Sequence, residues 1–262
     1  MSASLSSTDS DTPIDCLCAG IIVADHVCRP IDHLPAAGEL VLTERMELTT
    51  GGCASNVAAD LAKLNRRATI VGRVGDDIFG RFVRESLESA GVDCSQIEVS
   101  TTAETSGTLI INVAGQDRRF VHAVGANAEF AGESVTRELV GRSRVVYLGG
   151  YFLCDTLTPE KVIRVFEMAR DAGVPTVLDV VVPKPAEYWS RLEPVLPYTD
   201  YFLPNDDEAA AITGESDPLR QATRFLEAGV GTAVVTCGMK GSILVSGETR
   251  IRAAAYPVDF VD

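Results

Sequence analysis

Apolar positions along the chain switch between two spacings, short continuous runs and stripes that return every third or fourth residue, and the switch repeats from residue 14 onward. The segment "IDCLCAGIIVA" (14–24) is apolar and partly β-branched, which suits one strand buried on both faces. Residues 53–65 place Ala54, Val57, Ala58, Leu61, Ala62 and Leu64 on one stripe, as a helix packed on a sheet requires. "ATIVGRVG" reads as the next strand. Residues 79–90 read as a helix with Phe79, Phe82, Val83 and Leu87 on one face and Gly91 as its left-handed terminator.

"GTLIINVAG" and "RRFVHAVG" flank a Gly-containing turn at "AGQD" and predict a hairpin that leaves the main sheet. The alternation then resumes. Helices are expected near 133–140, 158–172, 187–196 and 206–228, and strands at "RVVYLGG", "VPTVLDVVV", "DYFLPN" and "TAVVTCG". "GSILVSGETRIRAAAYPV" closes the chain as an antiparallel hairpin. Strand, helix, strand in this rhythm predicts an α/β fold with a doubly wound, mostly parallel sheet. Ligands of such sheets bind at the carboxyl ends of the strands.

Composition narrows the function. The chain has 262 residues, enough for one large domain, and carries 23 basic against 37 acidic side chains. A formal charge of -14 repels phosphate backbones and anionic lipid, so neither nucleic acid nor membrane is an expected partner. The cysteines at 16, 18, 28, 53, 94, 154 and 237 form no C-x-x-C pair and read as buried thiols of a reducing compartment. Residues 1–13, "MSASLSSTDSDTP", lack the basic and apolar regions of a secretory signal and are expected to be a disordered tail ahead of a domain at 14–262. A cytoplasmic protein is expected.

Candidate chemistry gathers in "TTGGCASNVAADLAKLNRRATIVGRVGDDIFG" (49–80). Gly75 and Gly80 have Walker-loop spacing, but Arg81 and Phe82 follow where Lys and Ser or Thr are needed. The first strand also lacks G-x-G-x-x-G, which argues against an NAD-dependent enzyme. Gly51 and Gly52 stand just before a helix whose first turn carries Asn56. Bare backbone, free helix-start N–H groups and the Asn56 amide together suit neutral hydroxyls. The plainer reading of the same residues is a turn, a surface amide, and tight corners at Gly72, Gly75 and Gly80.

"GGCASNVAADLAKL" followed by "TIVGRVGDDIFG" resembles the first signature of the PfkB, or ribokinase-like, family of carbohydrate kinases, and the likeness runs from "AGIIVADHV" to "VDFVD". The resemblance implies ATP-dependent phosphorylation of a primary hydroxyl of a sugar or nucleoside, with Mg²⁺ on the phosphates. It implies a small β lid from about 28–48 and 107–123, which offers edges for a homodimer. Asp25 matches the carboxylate that holds vicinal sugar hydroxyls, with Gly51, Gly52 and Asn56 completing the grip; a cap on a turn is the plainer role for Asp25. Lid residues such as Phe120 and His122 would shape selectivity, and His26 is either a site neighbour or a solvated one. "PNDDEA" resembles Asn-x-x-Glu, so that Asn205 and Glu208 support the nucleotide and, through water, the metal. The same pair is also a helix capping pattern. "VVTCGMKGS" places Thr236, Gly238 and Gly241 at nucleotide-contact positions, or in a plain hairpin turn.

Two departures from the family pattern stand out. In "LDVVVPKPAEYW", Asp179 and Trp189 fit, but Val181 and Pro183 replace the usual Asn and Arg, with Lys184 one place out of register as a substitute. Asp262 matches the first residue of Asp-Thr-x-Gly-Ala-Gly-Asp, so the resemblance puts the catalytic base and anion hole beyond Asp262. No catalytic residue is therefore expected within the chain, and no kinase turnover from it as written. Its sheet is expected to keep an open apolar face, and the sequence is read as an incomplete or frameshifted form of a longer kinase. The alternative is a non-catalytic protein that binds a sugar or nucleotide through the Asp25 grip.

Overall fold

The computed structural model describes residues 13–183 and 187–257; Lys184 and Asp262 lie outside them. In chain order the elements are β1 (Cys16–Gly20), β2 (Val23–Cys28), β3 (Met46–Gly51), α1 (Cys53–Lys63), β4 (Ala68–Gly75), α2 (Ile78–Ser89), β5 (Asp93–Ser100), β6 (Gly107–Ile111) and β7 (Arg119–Ala123). Then come α3 (Arg137–Gly141), β8 (Val146–Gly149), α4 (Pro159–Asp171), β9 (Thr176–Leu178), α5 (Trp189–Leu192), β10 (Tyr201–Phe202), α6 (Asp206–Thr213), α7 (Pro218–Glu227), β11 (Thr232–Thr236), β12 (Ser242–Ser246) and β13 (Thr249–Ala253).

Among the described residues these strands form two sheets. The larger runs β13-β12-β11-β10-β9-β8-β1-β4-β5, parallel from β11 to β5 and antiparallel at its β12 and β13 edge. The smaller runs β3-β2-β6-β7 and is antiparallel except where β2 meets β6. Alternation along each central strand feeds two cores. Leu17, Ala19, Val146 and Leu148 pack toward α4 and α7, while Cys16, Cys18 and Tyr147 pack toward α1 and α2. Beyond β9 the α1 side of the sheet thins out: Val234 and Leu244 are half-buried, and Tyr201 and Ile251 are 44% and 50% exposed.

The run at 14–24 is two strands in different sheets. Gly20 turns the chain at φ 130°, where an added Cβ would lie 2.0 Å from the Gly149 carbonyl oxygen. Ile22 then leaves the main-sheet ladder and is satisfied by one fully buried side chain. Its N–H donates to Asn127 Oδ1 at 3.1 Å, and Asn127 Nδ2 donates to its carbonyl at 3.0 Å. This amide substitutes for a strand partner at the break, as a buried backbone requires. Asp25 consequently lies within a second strand, β2, rather than just past the end of one long strand. β10, α3 and α5 are also shorter than their apolar runs predict, and β9 ends at Leu178 where the Asp179 carbonyl turns to accept from the N–H groups of Gly150 and Tyr151.

The glycines of "GRVGDDIFG" build an anchor. Asp77 caps α2 by accepting from the Gly80 N–H at 2.8 Å, and also accepts from the Thr105 N–H at 2.7 Å and hydroxyl at 2.8 Å. Thr105 Oγ1 in turn accepts from the Gly75 N–H. A Cβ on Gly75 or Gly80 would fall 2.5 Å from Thr105 N or 2.3 Å from Gly75 O. The knot pins the chain just before β6 and so fixes where the smaller sheet leaves the larger one.

Candidate active site

On the smaller sheet, strand pairing lines up Thr49, Asp25, Thr108 and His122 as one row across β3, β2, β6 and β7. Gly51 lies diagonal to Asp25 on the same face. An added Cβ at Gly51 would sit 1.9 Å from Asp25 Oδ2, so the carboxylate rests on bare backbone. Gly52 is the N-cap of α1 at φ 91°, with room for no side chain, since a Cβ would meet the Ile21 carbonyl at 2.5 Å. No side chain caps α1, whereas Asp77 caps α2 and Asn205 caps α6, so the first amides of α1 face the Gly-Gly corner. Asn56 is exposed one turn along, its N–H bonded to the Gly52 carbonyl. Burial pushes the Asp25 carboxyl above its usual range, opposed by a hydrogen bond from Thr108. His26 occupies the opposite face of β2, edge-on to Phe79 at 5.0 Å.

A second cluster forms at the carboxyl ends of β9, β10 and β11. Asn205 Oδ1 accepts from the Glu208 N–H at 2.8 Å and Glu208 Oε2 accepts from the Asn205 N–H at 3.0 Å, a complete capping box on α6. Asn205 also bridges to Thr236, and the Thr236 N–H donates to the Pro204 carbonyl at 3.1 Å. Gly238 and Gly241, at φ 52° and 89°, form the turn between β11 and β12; a Cβ on Gly241 would lie 1.9 Å from the Ala253 carbonyl. Burial pushes Glu208 up to about 7, with the charge of Asp179 adding to the rise.

A buried network joins the clusters. Asp179 accepts from the Tyr147 hydroxyl at 2.6 Å and from the Cys53 thiol, and burial holds its carboxyl above the usual range. Cys53 directly follows Gly52 and its own thiol is pushed well up by burial, so it stays a donor. Gly149 makes the space, since a Cβ there would meet Cys53 Cβ at 2.7 Å and the Tyr147 hydroxyl at 2.8 Å. The sequence by itself gives Tyr147, Cys53 and Asn127 no role in a polar network. Tyr147 in an apolar strand was the one available signal, because a buried phenol seeks a polar partner. Trp189 stacks near Phe225 and lies under the Arg224 guanidinium.

Among the described residues, no group of three His, Cys, Asp or Glu side chains converges to hold a metal alone. Glu208, with the charge of Asp179 near enough to raise its carboxyl, would support a magnesium ion through water, the ion itself being held chiefly by phosphate. A groove of about 580 Å³ lies elsewhere, at Arg137, Arg164, Glu167 and Asp171 on and beside α4, where Arg137 pairs with Asp171 and Arg164 bonds the Gly132 carbonyl.

Residues 14–262 match the model of the pfkB family of carbohydrate kinases, and the chain belongs to that family. It is 28% identical to a ribokinase of Haemophilus influenzae over 88% of this chain and 75% of that protein, and 27% identical to a deoxyribokinase of Salmonella typhi with the same coverage. The ribokinase of Arabidopsis thaliana, solved with ribose and ATP, superposes with a TM-score of 0.77 at 25% identity, covering 95% of this chain and 80% of that one. A protein from E. coli solved with ATP and Mg²⁺ shares the fold with a TM-score of 0.77 at 20% identity, covering 95% and 80%. The family assignment makes this chain a phosphotransferase of the sugar-kinase type.

Proposed function

We propose that the protein's function is transfer of the γ-phosphoryl group of ATP to a primary hydroxyl of a neutral sugar or nucleoside, the described residues supplying the acceptor and nucleotide contacts and none of them being assigned as the catalytic base. The observation that carries this reading is the Asp25 carboxylate lying against the Cα of Gly51. Two hydroxyls of a polyol can donate to such a carboxylate as charge-assisted hydrogen bonds, and the missing side chain lets the ring approach the backbone. The amides that start α1 add donors beside it. At the other cluster, Thr236, Gly238 and Gly241 hold the nucleotide phosphates through backbone and hydroxyl. Asn205 and Glu208 orient the waters of Mg²⁺, which, when bound, neutralises phosphate charge. The smaller sheet acts as a lid over the acceptor, and its free β3 and β7 edges suit pairing with a second copy, which light scattering would detect.

Calorimetric titration with D-ribose, together with a coupled assay for ADP release, tests the reading. Wild type is expected to bind ribose and Asp25→Ala to lose it. Equal affinity in the two proteins would remove Asp25 from the site, and ribose binding without ADP release would reduce the function to binding.

A further inference from the structure

The polar row beside the acceptor has an internal direction. Thr108 is buried, and its hydroxyl lies between the Asp25 carboxylate and His122 Nδ1, the latter at 3.0 Å. A hydroxyl has one proton, and an ionised carboxylate only accepts, so the Thr108 proton goes to Asp25. Thr108 Oγ1 must then accept from His122, which places the imidazole proton on Nδ1. Burial holds the His122 ring below its ordinary range, so it is neutral, and Nε2 carries a lone pair. Nε2 is itself buried with no hydrogen-bond partner. An orphaned acceptor is costly, and the bond from Nδ1 to Thr108 is what opposes the ring turning away from this position.

We propose that Thr108 and His122 are positioning residues for the acceptor, the chain from His122 Nδ1–H through Thr108 Oγ1–H to Asp25 fixing which carboxylate lone pairs face the Gly51 corner. The inference rests on the acceptor reading of Asp25. It also gives β7, an edge strand of the smaller sheet, a hold on that carboxylate through Thr108. A loss of order in β7 therefore weakens sugar binding although β7 bears no group on the diol.

Imidazole ¹⁵N NMR on the full chain, which has only three histidines, reads the tautomer directly. His122→Gln assigns the resonance. Wild type and Thr108→Ser are expected to show the proton on Nδ1, and Thr108→Val to lose that preference. In parallel, D-ribose affinity should fall roughly tenfold or more in Thr108→Val, the loss of one hydrogen bond to a charged group, and return to within about twofold of wild type in Thr108→Ser. Thermal midpoints of the two variants show whether Val has disturbed the fold. An Nε2–H tautomer in wild type, or wild-type ribose affinity in a folded Thr108→Val, overturns the proposal. Unchanged affinity in Asp25→Asn would instead sink the acceptor reading, while the tautomer still reports on the hydrogen-bond chain.

Discussion

The two halves of the site are built differently. Within the proposed phosphate side the polar bonds are short-range, since Asn205 and Glu208 satisfy each other across three residues and Thr236 to Gly241 is a single turn, although strand pairing brings Asn205 to Thr236. The acceptor side is assembled from far along the chain. Asp25 meets Thr49, Thr108 and His122 only because four strands pair in one register, and the break that lets β2 leave the main sheet depends on Asn127, 105 residues away. A locally built cap survives loosening of its surroundings, whereas a row held by strand register fails as a unit. The acceptor side is therefore where single substitutions should have the largest effects.

Gly51→Ala tests this most severely. A Cβ 1.9 Å from Asp25 Oδ2 must displace the carboxylate, so ribose affinity should fall by more than about 100-fold in calorimetry, with a stability loss of about 1–3 kcal/mol from overpacking. Asn127→Ala strips both backbone groups of Ile22 of their partner in a fully buried setting. A loss of about 3 kcal/mol is expected from chemical denaturation, with ribose binding weakened because β2 is no longer held.

On the phosphate side the effects are smaller and depend on pH. Folded Glu208 keeps its proton up to about 7, while the unfolded chain releases it near the ordinary 4.5. Between those values the unfolded state binds fewer protons, so this group makes stability fall as pH rises. Glu208→Gln should flatten that slope in melts taken from pH 5 to 8, and the wild-type affinity for Mg·ATP should rise through pH 7 as the carboxylate forms. Asn205→Ala should cost least, about 1 kcal/mol for a lost cap, read as a shift in denaturant midpoint; a loss matching that of Asn127→Ala would erase the contrast between the halves.

Parts of this architecture are legible in the sequence. The helix expected over 53–65 and found at Cys53–Lys63, the strand at Ala68–Gly75, the Gly91 terminator at φ 92° and the hairpin that joins the second sheet follow from apolar spacing and turn chemistry. "PNDDEA" announced its capping box, and the structure contains it. The opening run at 14–24 misled because apolarity shows burial but not which sheet a strand joins. The glycines at 75 and 80 resembled a phosphate loop in spacing alone and proved to pack against Thr105.

The strand–helix alternation, the Asn205 cap, the Gly91 terminator and the amphipathic faces were determined by the sequence itself, because each rests on interactions within about one turn or on burial of a periodic face, whereas β3 and β5, which carry few apolar residues, were not signalled. Tertiary structure alone decided the parting of β1 from β2, the row from Asp25 to His122, and the meeting of Tyr147 and Cys53 on Asp179. Those contacts join residues tens of positions apart. Their partners are chosen by strand register and by the need to satisfy every buried polar group at once, and no local window of sequence contains that information.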